Sequence, residues 1–373
     1  MQDNAPRVVH VSTVHPWTDN RVFRRECRTL ARSGYDVTLI AVADEAQHCD
    51  GVRVIPAAQA RTRLGRMVGG VIHAFGLAWN LKADIYHLHD PELILLTPFL
   101  RLRGSKVVYD AHEDLPEQVL GKDYLPAVSR RAVALACRGL CRFVGRASNH
   151  VVTATPTIAA RFAPRPATVV HNYPELLPHV DGLVPYEARE DVVVYTGALG
   201  VLRGAAQMVD AMAAARLDGW RLRLVGPFRP ATLTDELATR PGWSWVHRMG
   251  TVSPLEARRL TSTAKIGLLV LQPSTAYRDS MPTKLFEYMA AGIPVIASDF
   301  PLWRSIVEEL GCGLLVDPTK PEAIATALRE LAEDPARAQA MGERGRQAVL
   351  HRLNWSTEER ALLHLYDRLR GAA

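Results

Sequence analysis

Two acidic residues with seven others between them, Asp279 and Glu287, bracket Lys284 in the stretch DSMPTKLFEYMAAGIPVIASDFP, Asp279–Pro301. Carboxylates suit bidentate hydrogen bonding of vicinal hydroxyls. Pro282 fits a first helical turn, Asp279 or Ser280 can cap it, and Lys284 to Ala291 continue as a helix that Gly292 stops before the strand IPVIAS. The start of such a helix offers free backbone N–H groups and a partial positive charge, to which Lys284 adds a full one, so it suits a diphosphate. A second phosphate candidate is TGALGVLRG, Thr196–Gly204, where Gly197, Gly200 and Gly204 follow a strand and Arg203 supplies charge. Glycines at an ordinary tight turn beside a solvated Arg203 fit that motif equally well. Its spacing is not GxGxxG and no acid closes a following strand. The first strand-to-helix loop, STVHPWTDNRVF, has no glycine at all, so a nicotinamide dinucleotide is a poor fit.

Histidines mark the N-terminal half. His112 ends KVVYDAH, and a packed histidine and a site histidine are equal readings there. His87 and His89 alternate on one strand, which puts His89 with Asp90 at its end. His15 and Asp19 stand in the first loop with Asn20 and Arg21, and a turn and a helix cap account for the first two without function. Glu287 and Lys284, taken alone, read as solvated surface charges; their shared context argues otherwise. The five cysteines have no CxxC pairs or zinc-like spacings, so reduced, packed thiols are expected, with Cys137 and Cys141 on one helix face.

The elements that must hold these residues are legible as alternation. Short apolar runs at Val8–Thr13, Asp36–Val42, Gly51–Ala57, Asp84–His89, Lys106–His112, His150–Thr155 and Ala167–Asn172 read as strands between helical stretches, the first helix at Arg21–Ser33. The three-proline segment Tyr173–Glu190 reads as a linker. Alternation restarts with Asp191–Gly197, Trp220–Gly226, Trp243–Gly250, Lys265–Gln272, Ile293–Ser298 and Gly311–Asp317. The prediction is an α/β chain of two tandem Rossmann-like doubly wound domains facing each other across a cleft. Its divisions are an N-terminal domain at 1–175, a linker at 176–190, a C-terminal domain at 191–353 and a closing helix at 354–373.

Composition narrows the function classes. With 373 residues, 48% hydrophobic, 23% charged and average Gly and Pro usage, disordered and collagen-like chains are excluded. The net charge of +6 lies wholly in residues 1–180, with 22 Lys+Arg against 16 Asp+Glu, while residues 181–373 carry 23 of each. A basic half meets anionic lipid, anionic substrates or nucleic acid. The absence of helix-turn-helix, zinc-finger or RNP-like motifs makes nucleic acid the weakest of these, and none is expected as a partner. Ser129–Ser148 is a basic helix that suits either solvent or an anionic membrane surface. No secretory signal is read at MQDNAPRVVHVSTV, and Met67–Leu81 is too short to span a bilayer that needs about 20 apolar residues. The expected location is cytoplasmic, with a peripheral place on the inner membrane face as an option.

The acid, seven residues and Glu, set in a loop, helix, glycine and PVIAS-type strand, resembles the paired-acid signature of retaining nucleotide-sugar glycosyltransferases of the GT-B fold, family 4 (group 1). The resemblance extends over VHPWTDNRVFRRECRTLARSGYDVTLIA, YHLHDPELILL, VVYDAHEDLPE, VVYTGALGVLRG and NWSTEERALLHLY, the last similar to a closing helix that returns to the N-terminal domain. It implies that Glu287 binds the nucleotide ribose and Asp279 the donor sugar, with backbone N–H groups of Ser280, Met281, Pro282's neighbours and Thr283 lining sugar and β-phosphate. Gly197 and Arg203 would meet the diphosphate, and Met249 with Gly250, Thr251 and Val252 the base. His112 would lie near the reacting centre. Ala198 stands where members commonly carry Arg, with Lys284 as the candidate replacement, and Asp279 stands where Glu is usual. The acceptor side would comprise His15, Asp19, Asn20, Arg21, His89 and His112.

The implied function is a hexosyltransferase that moves a sugar, UDP-linked by expectation, to a hydroxyl of a glycan, lipid-linked or small-molecule acceptor with retention of configuration. His112, Asp279, Arg203 and Lys284 are the catalytic candidates. Same-face attack and double displacement through Asp279 both stay open. No cofactor and no metal are expected, because the acid pair sits beside cations that would compete with one. A nucleotide-sugar epimerase of the same architecture and a catalytically idle sugar-nucleotide-binding protein are the alternatives.

Overall fold

The computed structural model describes residues 5–57, 65–120, 126–177, 180, 184–278 and 280–371, and Asp279 therefore lies outside the described residues. Two compact units divide the chain, one of Met1–Asn172 with Trp355–Ala373 and one of Tyr173–Asn354. Tyr173, read from sequence as part of the first domain, packs in the second, its ring 4.8 Å from that of Phe286.

In the first unit the strands are β1 (Arg7–Pro16), β2 (Asp36–Val42), β3 (Gln47–Cys49), β4 (Val52–Pro56), β5 (Ile85–Leu88), β6 (Lys106–Ala111), β7 (His150–Thr153) and β8 (Ala167–Val169). They form one sheet in the order β3-β4-β2-β1-β5-β6-β7-β8, parallel except for the β3/β4 pair. Strand order reverses at β1, so the loops after β1 and β5 flank a topological switch point, where such sheets bind ligands. The period of two sorts each strand between two cores. Val9, Tyr86, Leu88, Val107 and Tyr109 share one core with helices including Val71–Leu81. Val8, Ile85, Val108 and Val152 share the other with Trp355, Leu362, Leu365 and Tyr366 of the helix Trp355–Arg370. That closing helix thus completes the first sheet rather than the second. The first helix begins as a π-helix, Val22–Cys27, and continues as α-helix at Arg28–Arg32.

The second unit holds β9 (Glu190–Thr196), β10 (Arg221–Val225), β11 (Val246–Gly250), β12 (Ala264–Leu269), β13 (Val295–Ser298) and β14 (Gly313–Val316) in the all-parallel order β11-β10-β9-β12-β13-β14. This is the Rossmann order with its switch point between β9 and β12. Strands of Val, Leu and Ile are buried on both faces, as a sheet covered on both sides requires.

Candidate functional site

In the second unit the site grows from the end of β9. Gly197 has φ +113°, and a Cβ there would lie 2.6 Å from Cε and 2.8 Å from Nζ of Lys284, so the lysine head rests on this glycine's bare backbone. Gly226, at φ +138°, lets the loop after β10 come equally close, since its Cβ would fall 2.2 Å from the Gly197 carbonyl oxygen. The Gly226 N–H donates to the Gly250 carbonyl at 2.7 Å, tying the end of β11 into the same group. Lys284 Nζ stands 5.6 Å above the Tyr195 ring, and the Arg203 guanidinium 5.0 Å above that of Tyr277. Burial, with help from Arg203, lowers the Lys284 pKa against the opposing pull of Glu287. Burial likewise pushes the Tyr195 phenol up to about 12.

The helix of the paired-acid stretch runs Thr283–Ala290, and here the structure corrects the sequence reading. Pro282 is extended (φ −74°, ψ 129°) and occupies the capping position itself, and among the described residues no side chain caps the helix. Ser280 instead donates its hydroxyl to the Tyr277 carbonyl at 3.0 Å. Among the described residues no side chain caps the amides of the first turn, which suits an anion. Trp303 holds the approach to this helix, its Nε1 donating to the Ser280 carbonyl at 2.7 Å. Met281, Thr283 and Glu287 are half-buried, Met249 and Val252 pack against the core, and Gly250 and Thr251 are exposed. Gly197, Arg203, Lys284, Glu287 and the helix start are thus gathered in one unit.

In the first unit the face covered by the closing helix turns polar toward the strand ends: Val8, His10, Ser12; Ile85, His87, His89; Val108, Asp110, His112. His10 pairs with His87, and His87 with Val108. Asp110 is fully buried and ionised, its carboxyl held well below the usual range despite burial by Arg21, His112 and His89. His112 Nε2 lies 2.9 Å from Asp110 Oδ2 and 3.1 Å from His89 Nδ1. Burial lowers the His89 pKa to about 4 even with Asp110 nearby.

Asp90, which the sequence only marked as His89's neighbour, organises the loop after β1. Its Oδ2 accepts from Ser12 Oγ (2.9 Å), Thr13 N (2.5 Å) and Val14 N (3.2 Å). His15 sits over this carboxylate at 3.6 Å and reaches Asp19 at 3.5 Å. Burial would lower the His15 pKa, but the hydrogen bond to Asp19 and the charges of Asp90, Asp19 and Glu113 raise it overall. Asp19 Oδ1 also accepts from the N–H groups of Arg21 and Val22. The His15 and His112 rings are 5.1 Å apart. Asn20 points to solvent. Arg21, grouped from sequence with the acceptor loop, turns inward: it is buried, and its guanidinium serves Asp110, the Val170 carbonyl and Asn172.

His10, Glu26, His87 and His89 present atoms within 4.8 Å of one another, as do His89, Asp110 and His112. Their geometry is that of hydrogen bonding. His10 Nδ1 and His89 Nε2 are 2.8 Å apart, closer than the roughly 3.3 Å between nitrogens around a tetrahedral ion with bonds of about 2.0 Å. The His87 and His89 rings stack at 16°, so their lone pairs do not converge. His10, His87, Glu26 and Asp110 were missed as site-forming residues; polar residues at every second place in otherwise apolar strands were the available signal.

Two doubly wound parallel domains, one with cations and a bare helix start at its strand ends and the other with histidines and acids, define a chain of the GT-B class. Residues 185–348 match the family model of glycosyl transferases group 1, and residues 20–173 that of the glycosyl transferase 4-like domain. The chain belongs to the group 1 glycosyltransferase family. A curated relative, D-inositol 3-phosphate glycosyltransferase of Kineococcus radiotolerans, is 28% identical over 69% of this chain and 62% of its own. The chain spans only about 40 to 62% of the length of the first curated relatives it matches. Among solved structures, sucrose-phosphate synthase of Thermosynechococcus elongatus superposes with a TM-score of 0.75 at 18% identity, covering 99% of this chain and all of that one. The Anabaena protein HepE, solved in complex with UDP-glucose, gives 0.71 at 14% identity over 97% and 99%.

Proposed function

We propose that this chain is a hexosyltransferase that moves a sugar from a nucleotide-diphosphate donor to an acceptor hydroxyl with retention, without a metal ion. The observation that carries the reading is Lys284, in the first turn of Thr283–Ala290, with its ammonium set against the bare backbone of Gly197 and within electrostatic reach of Arg203. A departing diphosphate gathers negative charge as the glycosidic bond lengthens, and preorganised donors aimed there lower the barrier. Arg203 and Lys284 supply two charges for it, Ala198 supplying none, and the helix amides supply a fixed dipole. Glu287, one turn inside the helix, suits the ribose hydroxyls, and Asp279 remains the proposed partner of the donor sugar. In same-face attack the leaving phosphate takes the acceptor proton, so no protein base is required.

A UDP-linked donor is supported by the UDP-glucose complex of the Anabaena neighbour, and a phosphorylated cyclitol acceptor by the name of the Kineococcus relative. His15, Asp19, Asn20, His89 and His112 are the proposed acceptor-side residues; Arg21 acts through Asp110. A peripheral place on an anionic membrane accords with the helix Ala127–Ala147, where Arg130, Arg131, Arg138, Arg142 and Arg146 stand among the exposed Val128, Leu135 and Phe143. No helix among the described residues is long and apolar enough to cross a membrane.

A thermal-shift comparison of UDP, GDP, ADP and their common sugar conjugates tests the donor, because a ligand that binds the folded state stabilises it by mass action. One nucleotide family should raise the melting temperature, and Glu287→Ala should abolish the rise. No shift with any of them removes the donor reading. Binding with neither transfer nor slow donor hydrolysis marks an idle binding protein, and donor turnover without an acceptor an epimerase.

A further inference from the structure

We propose that Tyr366, on the closing helix, is a positioning residue for His112: it sets the direction of a buried hydrogen-bond chain that runs through His10 and His89 to Asp110. The links are Tyr366 Oη to His10 Nε2 (3.5 Å), His10 Nδ1 to His89 Nε2 (2.8 Å), and His89 Nδ1 to Asp110 Oδ2 (3.4 Å) beside His112 Nε2 (3.1 Å). On its other side Tyr366 Oη lies 2.8 Å from His87 Nδ1. All of these groups except His112 are fully buried or nearly so.

A neutral imidazole has one N–H and one lone pair, so each histidine in a chain passes its polarity to the next. Burial first, with neighbouring histidines adding to it, holds His10 and His87 neutral, as it does His89. Asp110 can only accept. Its oxygens already receive Arg21 Nε and Nη2 at 2.8 Å each, and the hydrogen between His112 and Asp110 therefore sits on His112 Nε2. Two directions remain for the rest. Toward Asp110, Tyr366 donates to His10, His10 Nδ1–H to His89, and His89 Nδ1–H to Asp110. Away from it, His89 Nδ1 accepts a share of the His112 hydrogen and every later bond reverses.

The far end selects the first direction. His87 Nε2 faces Glu26 Oε2 at 4.0 Å, and neither atom has a hydrogen-bond partner. A hydrogen on His87 Nε2 would be buried without an acceptor, whereas on Nδ1 it meets Tyr366 Oη at 2.8 Å. Burial and the Asp110 charge also raise the Glu26 pKa well above the carboxylate range, in spite of Arg21 Nε at 3.1 Å from Oε1, which weakens any pull from that side. His87 keeps its hydrogen on Nδ1 and donates it to Tyr366, whose own hydrogen then goes to His10. His89 is thereby held as a donor, and His112 keeps an unshared Nε2–H on Asp110 with the Nδ1 lone pair as its remaining hydrogen-bonding atom. That this lone pair meets a sugar or acceptor hydroxyl rests on the proposed function; the direction of the chain does not.

Histidine-labelled protein, read by long-range 15N–1H NMR with single His→Asn variants for assignment, reports which ring nitrogen carries hydrogen and needs neither donor nor acceptor. The expected wild-type result is Nδ1–H at His10, His87 and His89 and Nε2–H at His112. Tyr366→Phe keeps the ring that packs on Tyr35 and removes the hydroxyl alone. It should turn His10 and His89 wholly or partly to Nε2–H and move the His112 Nε2–H resonances, since His89 Nδ1 lies 3.1 Å from that nitrogen. Tyr35→Phe, which removes the 3.4 Å bond from Tyr35 to Asp367 on the same helix, should leave every tautomer in place. Nε2–H at His89 in the wild type overturns the proposal, as does an unchanged Tyr366→Phe spectrum, or an equal change in both tyrosine variants. The wild-type spectrum decides the direction even if a variant fails to fold.

Discussion

Arg21 Nε and Nη2 each lie 2.8 Å from a different oxygen of Asp110, 89 residues along the chain and out of reach of solvent. The pair joins the residue at the start of the first helix to the end of β6. It lies beneath the histidines and fixes one end of their hydrogen-bond chain, because Asp110 can only accept.

Removing either partner leaves the other charged and buried, which typically costs about 3–5 kcal/mol. Asp110→Asn and Arg21→Met should each lower the unfolding free energy read from urea melts by an amount of that order. The double variant should lose less than the two together, because the orphaned charge is gone. Additive losses would show that the two residues act independently.

Gly197→Ala and Gly226→Ala should separate stability from binding. At Gly226 the new Cβ meets a backbone carbonyl at 2.2 Å, which cannot yield, so a loss on the order of 3 kcal/mol in melting experiments is expected. At Gly197 it meets the flexible end of Lys284, so the stability loss should be nearer 1 kcal/mol, chiefly from the positive φ. The larger effect of Gly197→Ala should be a weaker affinity for the stabilising nucleotide, measured by calorimetry, because the displaced lysine leaves its place.

Lys284→Gln should weaken nucleoside-diphosphate binding by about tenfold, as expected for loss of one charge-assisted contact. Burial already disfavours its charge in the free protein, so the melting temperature without ligand should stay level or rise. A large fall without ligand would assign the lysine a structural task instead.

Stability should fall as pH drops from about 6.5 to 4. His89 takes a proton near pH 6.5 when unfolded but only near 4 when folded, chiefly because it is buried, so the unfolded state binds more protons in that window. The slope from His89 is about 1.4 kcal/mol per pH unit. His10 and His87 act in the same direction, as does His150, lowered to about 4 by burial and by Arg368 and Arg165. Glu26 and His15, whose pKa values are raised, act in the opposite direction: their contributions are complete at low pH and fade as pH rises through their folded values. Four groups against two set the net sign. Urea melts across pH 4–7 check it, and His89→Asn should flatten the slope.

Alternation of apolar runs with helical stretches was enough to read two parallel α/β domains, because burial on both faces of a sheet imposes that pattern locally. The helix Thr283–Ala290 was legible for the same reason: a proline at its start and a glycine stop are written in neighbouring residues. What the sequence left undecided depends on which strands become neighbours. Only the order β2-β1-β5-β6 sets His10, His87, His89 and Asp110 side by side and brings Tyr366 from the far end of the chain to them. Arg21 looked like one more polar residue in a first loop, yet a buried Asp110 needed a countercharge, and that need draws it inward. Sequence neighbours determine elements and loops, whereas the partner of a buried charge is chosen by tertiary packing, since the cost of leaving it alone exceeds any local preference.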